Sequence, residues 1–180
     1  MSKEYQVIFS GEGGQGLVLA GMLFGEAAAI YENRNATQMV AYGMASRGGF
    51  AMAEVKISDQ EIDCPELTEP DFIVALTEDA FAKFKKEAQK SIVIYDSDVF
   101  SPGMAGDNIK GYPFTSTLRH LAEQHGANAR INVLAMGAVL GLEKVVSLEA
   151  LQKALQDRFG AKNADVNMKV LQAGINMARA

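Results

Sequence analysis

Short apolar runs alternate with longer amphipathic segments along the chain, and this pattern predicts strands that alternate with helices. Near-continuous apolar runs such as 72–76 are typical of strands covered on both faces, whereas the alternation in 50–57 predicts a half-exposed strand. The predicted strands, in chain order, are 7–9, 36–42, 50–57, 72–76, 91–96 and 109–112.

Segments with helical periodicity and N-capping residues lie between these strands and throughout the C-terminal third. Thr77, Asn132, Ser147 and Asn163 are predicted N-caps, and Gly160 is a predicted stop. The predicted helices are 15–32, 78–90, 114–124, 133–142, 148–159 and 164–178. This order predicts an α/β fold of one domain over 1–180: three layers, a largely parallel sheet, a Rossmann-like first βα unit and a helical C-terminal third.

Composition and charge narrow the class of protein. The chain has 48% apolar and 22% charged residues, as soluble domains do, and its net charge of -5 argues against nucleic-acid binding. The single cysteine, Cys64, excludes an internal disulfide and favours a reducing cytoplasm. One thiolate also cannot hold an iron–sulfur cluster by itself. The longest apolar run, near 133–142, is too short to cross a bilayer, and we expect no secretory signal at the N-terminus.

Glycines dominate the turn that follows the first predicted strand. Gly11, Gly13, Gly14 and Gly16 surround Gln15, and a helix is predicted to follow. A strand, glycine turn and helix leave backbone N–H groups directed at a ligand or partner, and the spacing fits G-x-G-x-x-G. A nicotinamide-dinucleotide site also needs an acidic residue at the end of the second strand, and 36–42 has none. The sequence therefore disfavours ordinary NAD binding.

A second loop at the end of strand 36–42 carries the other candidate binding residues. It places Tyr42, Gly43, Arg47, Gly48 and Gly49 at the C-terminal end of a strand, where open α/β sheets bind their ligands. Arg47 offers a bidentate fork for a phosphate or carboxylate, and the glycines allow close approach of a ligand to the backbone.

Other candidate chemistry is sparse. Asp96 and Asp98 are a possible carboxylate pair for acid–base work or Mg²⁺, although turn and cap formation is the favoured interpretation. His120 and His125 are five residues apart, which does not place both rings on one helix face. We therefore predict no catalytic residue and no metal site in this chain.

The two glycine motifs together resemble the gamma subunit, or gamma domain, of 2-oxoacid:ferredoxin oxidoreductases. That family is similar in having G-x-G-G-Q-G at the first turn and then a Gln before a Tyr-Gly-Pro-Glu-x-Arg-Gly-Gly-like segment. The residues that match the second motif are Gln38, Tyr42, Gly43, Arg47, Gly48 and Gly49. The chain departs from the pattern at Met44 and Ala45, where Pro-Glu is usual. The resemblance covers nearly the whole chain.

The resemblance implies a role inside a hetero-oligomer of alpha, beta and ferredoxin-like delta subunits. Those partners would bind thiamine diphosphate and iron–sulfur clusters, so no cofactor is expected on this chain alone. The complex would convert a 2-oxoacid and coenzyme A to an acyl-CoA and CO2, with electrons passed to ferredoxin; 2-oxoglutarate or a branched-chain oxoacid is the expected substrate. This chain would be structural and close to the coenzyme A side.

Two alternatives stay open at this point. In the first, the glycine loops pack only against a partner subunit. In the second, the chain is a stand-alone Rossmann-type module that binds a nucleotide or an acyl-CoA. The candidate cofactor-binding residues under either ligand-binding interpretation are Gly11, Gly13, Gly14, Gln15, Gly16, Tyr42, Gly43, Arg47, Gly48 and Gly49.

Overall fold

A six-stranded sheet forms the centre of the fold. The computed structural model describes residues 3–43, 49–104, 106–125 and 129–180. The strands are β1 (Glu4–Glu12), β2 (Asn35–Tyr42), β3 (Phe50–Ser58), β4 (Phe72–Ala75), β5 (Ile92–Asp96) and β6 (Ile109–Tyr112), in the spatial order β2-β3-β1-β4-β5-β6. β3 runs antiparallel to both of its neighbours, and the other strands share one direction. The predicted largely parallel sheet is therefore confirmed.

Helices cover both faces of the sheet, which confirms the three-layer architecture. They are α1 (Leu17–Glu26), α2 (Glu78–Phe84), α3 (Phe114–His125), α4 (Ile131–Leu142), α5 (Leu148–Phe159) and α6 (Ala161–Arg179). The four helices α3 to α6 make up the predicted helical C-terminal third. The expected single domain over 1–180 stays a prediction.

β1 shows why the apolar runs predicted buried strands. Val7 and Phe9 are fully buried in the larger core, and Phe9 packs edge-on against Phe24 of α1. Ile8 points to the opposite face and joins the smaller core with Phe81 of α2. Because successive side chains leave a strand on opposite faces, an uninterrupted apolar run is needed when both faces are covered.

α4 and α6 cross with their backbones almost in contact. A Cβ atom at Gly137 would lie 2.2 Å from the Leu171 carbonyl oxygen, and one at Gly174 would lie 2.1 Å from that of Leu134. The helices therefore pack tightly at Gly137, and Gly174 is its counterpart on the facing helix. This crossing fixes the helical layer in position above the sheet.

Four helix boundaries differ from the sequence prediction. α2 ends at Phe84 rather than at residue 90, and a separate 3-10 turn follows at Glu87–Gln89. The first helix begins at Leu17 rather than Gln15, and its last turn, Ala27–Tyr31, widens into a π-helix. Asn132 does not cap α4, since the helix begins at Ile131, two residues earlier than predicted, with Arg130 as its N-cap. α6 begins at Ala161 after Gly160, whose φ of 73° turns the chain directly from one helix into the next.

The two glycines inside α1 have different surroundings, which predicts opposite effects of adding a methyl group. At Gly21 a Cβ would lie 2.8 Å from Cγ2 of Val55 and 3.1 Å from Cβ of Ala53, so α1 packs closely on β3 there. At Gly25 the nearest atom, Cβ of Ala36, would lie 3.8 Å away, which is an ordinary van der Waals distance.

We expect Gly21→Ala to lower the free energy of unfolding by about 1–3 kcal/mol through overpacking. Gly25→Ala should raise it by up to about 1 kcal/mol, because alanine is the better helix former. Urea denaturation of the full chain measures both changes. A shift of the same sign in the two variants would contradict this difference in packing.

Candidate functional site: a rim of two glycine loops

The turn after β1 is held in shape by its own side chains. The Glu12 backbone N–H donates to Oε1 of Gln15 at 2.7 Å, and the Gln15 N–H donates to the Glu12 carbonyl at 3.2 Å. Gly14 and Gly16 have φ values of 100° and 78°, which favour glycine. At Gly11 a Cβ would lie 2.2 Å from Oε1 of Gln15, so only glycine leaves room for that amide. Each glycine named here has a local steric reason.

A buried asparagine ties this turn to the helical layer. Asn132 is 1% exposed, and its Nδ2 donates to the Gly16 carbonyl oxygen at 3.0 Å. A Cβ at Gly16 would lie 2.7 Å from that same nitrogen, so Asn132 also blocks a larger residue at this position. The side chain predicted to cap α4 instead fixes the N-cap residue of α1.

The second glycine loop lies directly beside the first. The Gly13 N–H donates to the Gly49 carbonyl oxygen at 2.8 Å, and the Gly43 N–H donates to the Phe50 carbonyl at 2.7 Å. The structure therefore brings the two motifs to one edge of the sheet, at the carboxyl ends of β1 and β2. Arg47 and Gly48 lie outside the described residues, so their predicted roles stay predictions.

Gln38, which belongs to the resemblance, has a structural role in the fold. Its Nε2 donates to the Val18 carbonyl oxygen at 2.8 Å and so ties β2 to the first turn of α1. Tyr42, unlike Gln38, has most of its surface exposed at the rim (70%).

An open cavity of about 400 Å³ lies between the glycine turn, α1 and Tyr42. Its wall is largely apolar, and the residues that line it are Glu12, Gly13, Gly14, Gly16, Leu17, Val18, Leu19, Met22, Tyr42, Ala51 and Arg158. The N-cap Gly16 has no side chain to cap α1, and the first turn of α1 contains no acidic residue. This cavity combines a positive helix end, an aromatic ring and a guanidinium, a combination suited to a ligand with an anionic and an apolar part.

Arg158 is the cavity residue that sequence reasoning missed. It lies in the last turn of α5, more than a hundred residues from the glycine motifs, and reaches the rim because α5 packs against α1. A basic residue in the last turn of a helix is normally explained by the helix dipole. No local signal distinguished it from that ordinary role.

The two aspartates after β5 are used for helix capping. Asp96 is fully buried and accepts from the Phe114 N–H at 3.1 Å and from the Thr115 hydroxyl at 2.6 Å. Asp98 accepts from the Ser116 N–H at 2.7 Å, and this bond together with the Ser116 hydroxyl holds the pKa of Asp98 below its ordinary value. The turn-and-cap interpretation is confirmed.

Among the helices that the structure describes, none has the length and apolar character needed to cross a membrane.

Comparison with known proteins assigns the fold and its relatives. Residues 6–177 match the family described as pyruvate ferredoxin/flavodoxin oxidoreductase. The 2-oxoglutarate synthase subunit KorC of Methanocaldococcus jannaschii is 35% identical over 183 residues, which span 99% of this chain and 95% of that protein.

Two solved structures share the fold. The gamma subunit of a keto/oxoacid ferredoxin oxidoreductase from Geobacter sulfurreducens PCA is 31% identical with a TM-score of 0.77, and the match covers 98% of this chain and 97% of that one. A 2-oxoglutarate:ferredoxin oxidoreductase from Magnetococcus marinus has a TM-score of 0.85 at 23% identity, over 98% of this chain and 31% of that one. The resemblance seen in the glycine motifs is confirmed, and this chain belongs to the pyruvate ferredoxin/flavodoxin oxidoreductase family as a chain of the gamma-subunit type.

Proposed function

We propose that this chain is the gamma subunit of a cytoplasmic 2-oxoglutarate:ferredoxin oxidoreductase complex. The observation that carries the proposal is the near full-length similarity to four proteins named 2-oxoglutarate synthase subunit KorC, at 32–35% identity. Ketoisovalerate oxidoreductase subunit VorA is 29% identical, which favours 2-oxoglutarate over a branched-chain oxoacid.

The chemistry of the complex belongs to partner chains. On those chains thiamine diphosphate would supply the carbanion chemistry for a 2-oxoacid carbonyl, and iron–sulfur clusters would carry the electrons. Cys64 is the only cysteine of this chain, so this subunit cannot supply the four thiolates that a cluster usually requires. Its own contribution is a surface for partner subunits and for coenzyme A.

In this proposal the rim cavity receives part of coenzyme A. The Magnetococcus structure is described as having 2-oxoglutarate, coenzyme A and succinyl-CoA bound. Here the cavity of about 400 Å³ falls within the usual size range of ligand sites, and its apolar wall suits a pantetheine chain. Arg158 and the free end of α1 would meet a phosphate, and the turn Gly11, Gly13, Gly14, Gln15 and Gly16 would approach it through backbone N–H groups.

The test of the assignment is purification of this chain from its host under anaerobic conditions. We expect a thiamine-binding chain and an iron–sulfur chain to purify with it, and reduction of a viologen dye with 2-oxoglutarate plus coenzyme A. Recovery of the chain as a lone species that binds NAD, FAD or coenzyme A tightly in calorimetry would instead favour the stand-alone module.

The test of the rim uses the variant Arg158→Ala in the assembled complex. Loss of one charge-assisted contact costs about 1.5–3 kcal/mol, so the apparent KM for coenzyme A should rise roughly tenfold or more. The KM for the 2-oxoacid should stay unchanged, because that substrate would bind on other chains. Val99→Ala, at an exposed site after β5 that does not line the cavity, is the control. An unchanged KM for coenzyme A with intact assembly would remove Arg158 from the site.

A further inference from the structure

The edge strand β2 lacks the devices that normally protect a sheet edge. Its eight residues, Asn35–Tyr42, contain no charged residue and no proline. It pairs with β3 through eight successive partners without a bulge. The opposite edge, β6, is only four residues long and carries Lys110. Natural proteins blunt edges with short strands, lysine, proline or bulges, because an unprotected edge pairs with other strands.

The hydrogen-bond pattern shows which backbone groups of β2 face outward. The Gly43 N–H donates to Phe50, so these two residues form a hydrogen-bonded pair of the antiparallel ladder. Such pairs alternate with non-hydrogen-bonded ones. Met39 therefore directs its N–H and C=O toward β3, whereas Gln38 and Val40 direct theirs toward the open edge. Among the described strands, none other than β3 pairs with β2.

We propose that two copies of this chain associate through antiparallel pairing of their β2 strands, which joins the two sheets into one. Only the even-numbered residues of β2 direct their N–H and C=O groups toward the open edge. The two-fold axis must therefore pass midway between two copies of the same residue. The register centred on Met39 uses most of the strand: Met39 faces Met39 of the second copy, and Val40 faces Gln38 of the second copy.

Charge and apolar surface favour a second copy of this chain as the occupant. A strand without charges puts no like charges opposite each other when it pairs with itself. Met39 and Val40 are 38% and 40% exposed, and pairing would cover both. The surface beside them is also apolar, because Ile30 at the end of the first helix is 67% exposed.

The helix next to the edge leaves room for this arrangement. A two-fold axis perpendicular to the sheet keeps α1 of both copies on the same face, side by side across the seam. An open groove of about 240 Å³ between α1 and β2, lined by Gly25, Ala29 and Ile30 among others, faces that seam. Glu26 lines the same groove and is its one charged residue among those the structure describes.

A cysteine cross-link tests the register. Non-hydrogen-bonded antiparallel pairs have Cα atoms about 4.5 Å apart, which a disulfide spans. In the full chain carrying Cys64→Ser, which removes the exposed native thiol, Met39→Cys should give mostly a disulfide-linked dimer under mild oxidation. Val99→Cys in the same background, exposed after β5 and outside β2, should stay monomeric.

A backbone variant tests the strand pairing itself. Val40→Pro removes an outward N–H without removing a bond to β3, so the fold should be retained by circular dichroism. The dissociation constant of the dimer, from sedimentation equilibrium, should rise at least about tenfold, because each of the two copies loses one hydrogen bond. A wild-type chain that is monomeric at every concentration, or a cross-linking rate at Met39→Cys no faster than at Val99→Cys, overturns the proposal.

The assembled complex provides the third measurement. Native mass spectrometry should find two copies of this chain in contact, and oxidised Met39→Cys should link those copies to each other. A link from this site to a different subunit would mean that the edge belongs to that subunit, and the pairing proposal would be wrong. The assignment as a gamma subunit would stand in that case, because it does not depend on this edge.

Discussion

Gly137→Ala is expected to destabilise the chain by about 3 kcal/mol, although alanine is the better helix former. The added methyl group would lie 2.2 Å from the Leu171 carbonyl oxygen and 3.0 Å from the Gly174 Cα, and both are backbone atoms that cannot move aside alone. The two helices must therefore separate. Overpacking in a filled core costs about 1–3 kcal/mol, and the upper part of that range applies where the obstacle is a backbone.

The crossing is sensitive because α4 is buried along almost its whole length. Nine consecutive residues, Asn132 to Leu140, are buried, so a shift of this helix disturbs contacts with the sheet and with α6 together. Gly174→Ala should have a similar effect from the other side, since its methyl group would lie 2.1 Å from the Leu134 carbonyl oxygen.

Equilibrium unfolding in urea, followed by circular dichroism, measures these losses. Gly25→Ala is the matched control, because its methyl group would meet only Cβ of Ala36, at an ordinary van der Waals distance of 3.8 Å, and should not destabilise the chain. The double variant Gly137→Ala/Gly174→Ala should cost less than the sum of the two, since one separation of the helices relieves both contacts. Additive losses, or a stabilising effect of Gly137→Ala, would show that the crossing is looser than described.

Arg34→Met is expected to have the second largest effect, a loss of about 2–3 kcal/mol in the free energy of unfolding. Arg34 lies between α1 and β2, and its side chain is 14% exposed. Its Nε contacts Oδ1 of Asp59 and its Nη1 contacts the Val145 carbonyl oxygen, both at 2.8 Å. The same Nη1 lies 3.5 Å from Oε2 of Glu32. Methionine would fill the space but leave these acceptors without their donor.

Because of Glu32, Arg34→Met should lose more free energy of unfolding than the loss of an ordinary ion pair would cost. Its side chain is 19% exposed, and its Oε1 also accepts from the Ser147 N–H at 2.6 Å, at the start of α5. Removing one partner of a largely buried pair costs about 3–5 kcal/mol, and the partial exposure of Asp59 reduces that figure here. Arg34→Met/Glu32→Gln should recover part of the loss, because the unpaired charge is then gone.

Lys90→Met is the control for Arg34→Met. Lys90 and Glu69 also form an ion pair, but their side chains are 73% and 68% exposed. Exposed pairs contribute about 0–1 kcal/mol, so this variant should change the unfolding free energy little. Equal effects of the two variants would contradict a structural role for Arg34.

The pH dependence of stability provides a second readout at the same place. The Lys3 backbone N–H, and then Arg34, hold the pKa of Asp59 below its ordinary value. A lowered carboxylate pKa contributes stability at neutral pH that is lost as the pH falls through the folded-state pKa. Arg34→Met should therefore reduce the loss of stability that the parent chain shows on acidification.

Features encoded by neighbouring residues were predictable, whereas features made by distant contacts were not. The glycine turn and the capping role of Thr77, whose hydroxyl accepts from the Ala80 N–H, follow from local backbone requirements. Apolar runs such as that of β4 identified strands covered on both faces. In contrast, Arg158 reaches the rim only through the packing of α5 on α1, and no pattern within α5 indicates this.

Asn132 illustrates the same limit in a different way. Its position before an apolar segment favoured a capping role, since asparagine is a good N-cap. The fold instead buries it in the first turn of α4 and uses its amide for the Gly16 carbonyl across 116 positions of sequence. A local signal was present but was outweighed by a tertiary hydrogen bond that sequence alone does not show.

The side-chain amide of Asn132 also limits how far the protein can change its conformation when a ligand or partner binds. Since Asn132 belongs to a helix enclosed on all sides, the first loop has no freedom to remodel itself without unpacking the interior. In the described part of the rim, exposed side chains such as Tyr42 and Arg158 can adapt on binding, and the subunit can be displaced as a rigid body within its assembly. This rigidity keeps the conformational entropy lost on association small. The fit in shape between the rim and a ligand or partner is then the main determinant of which molecule binds.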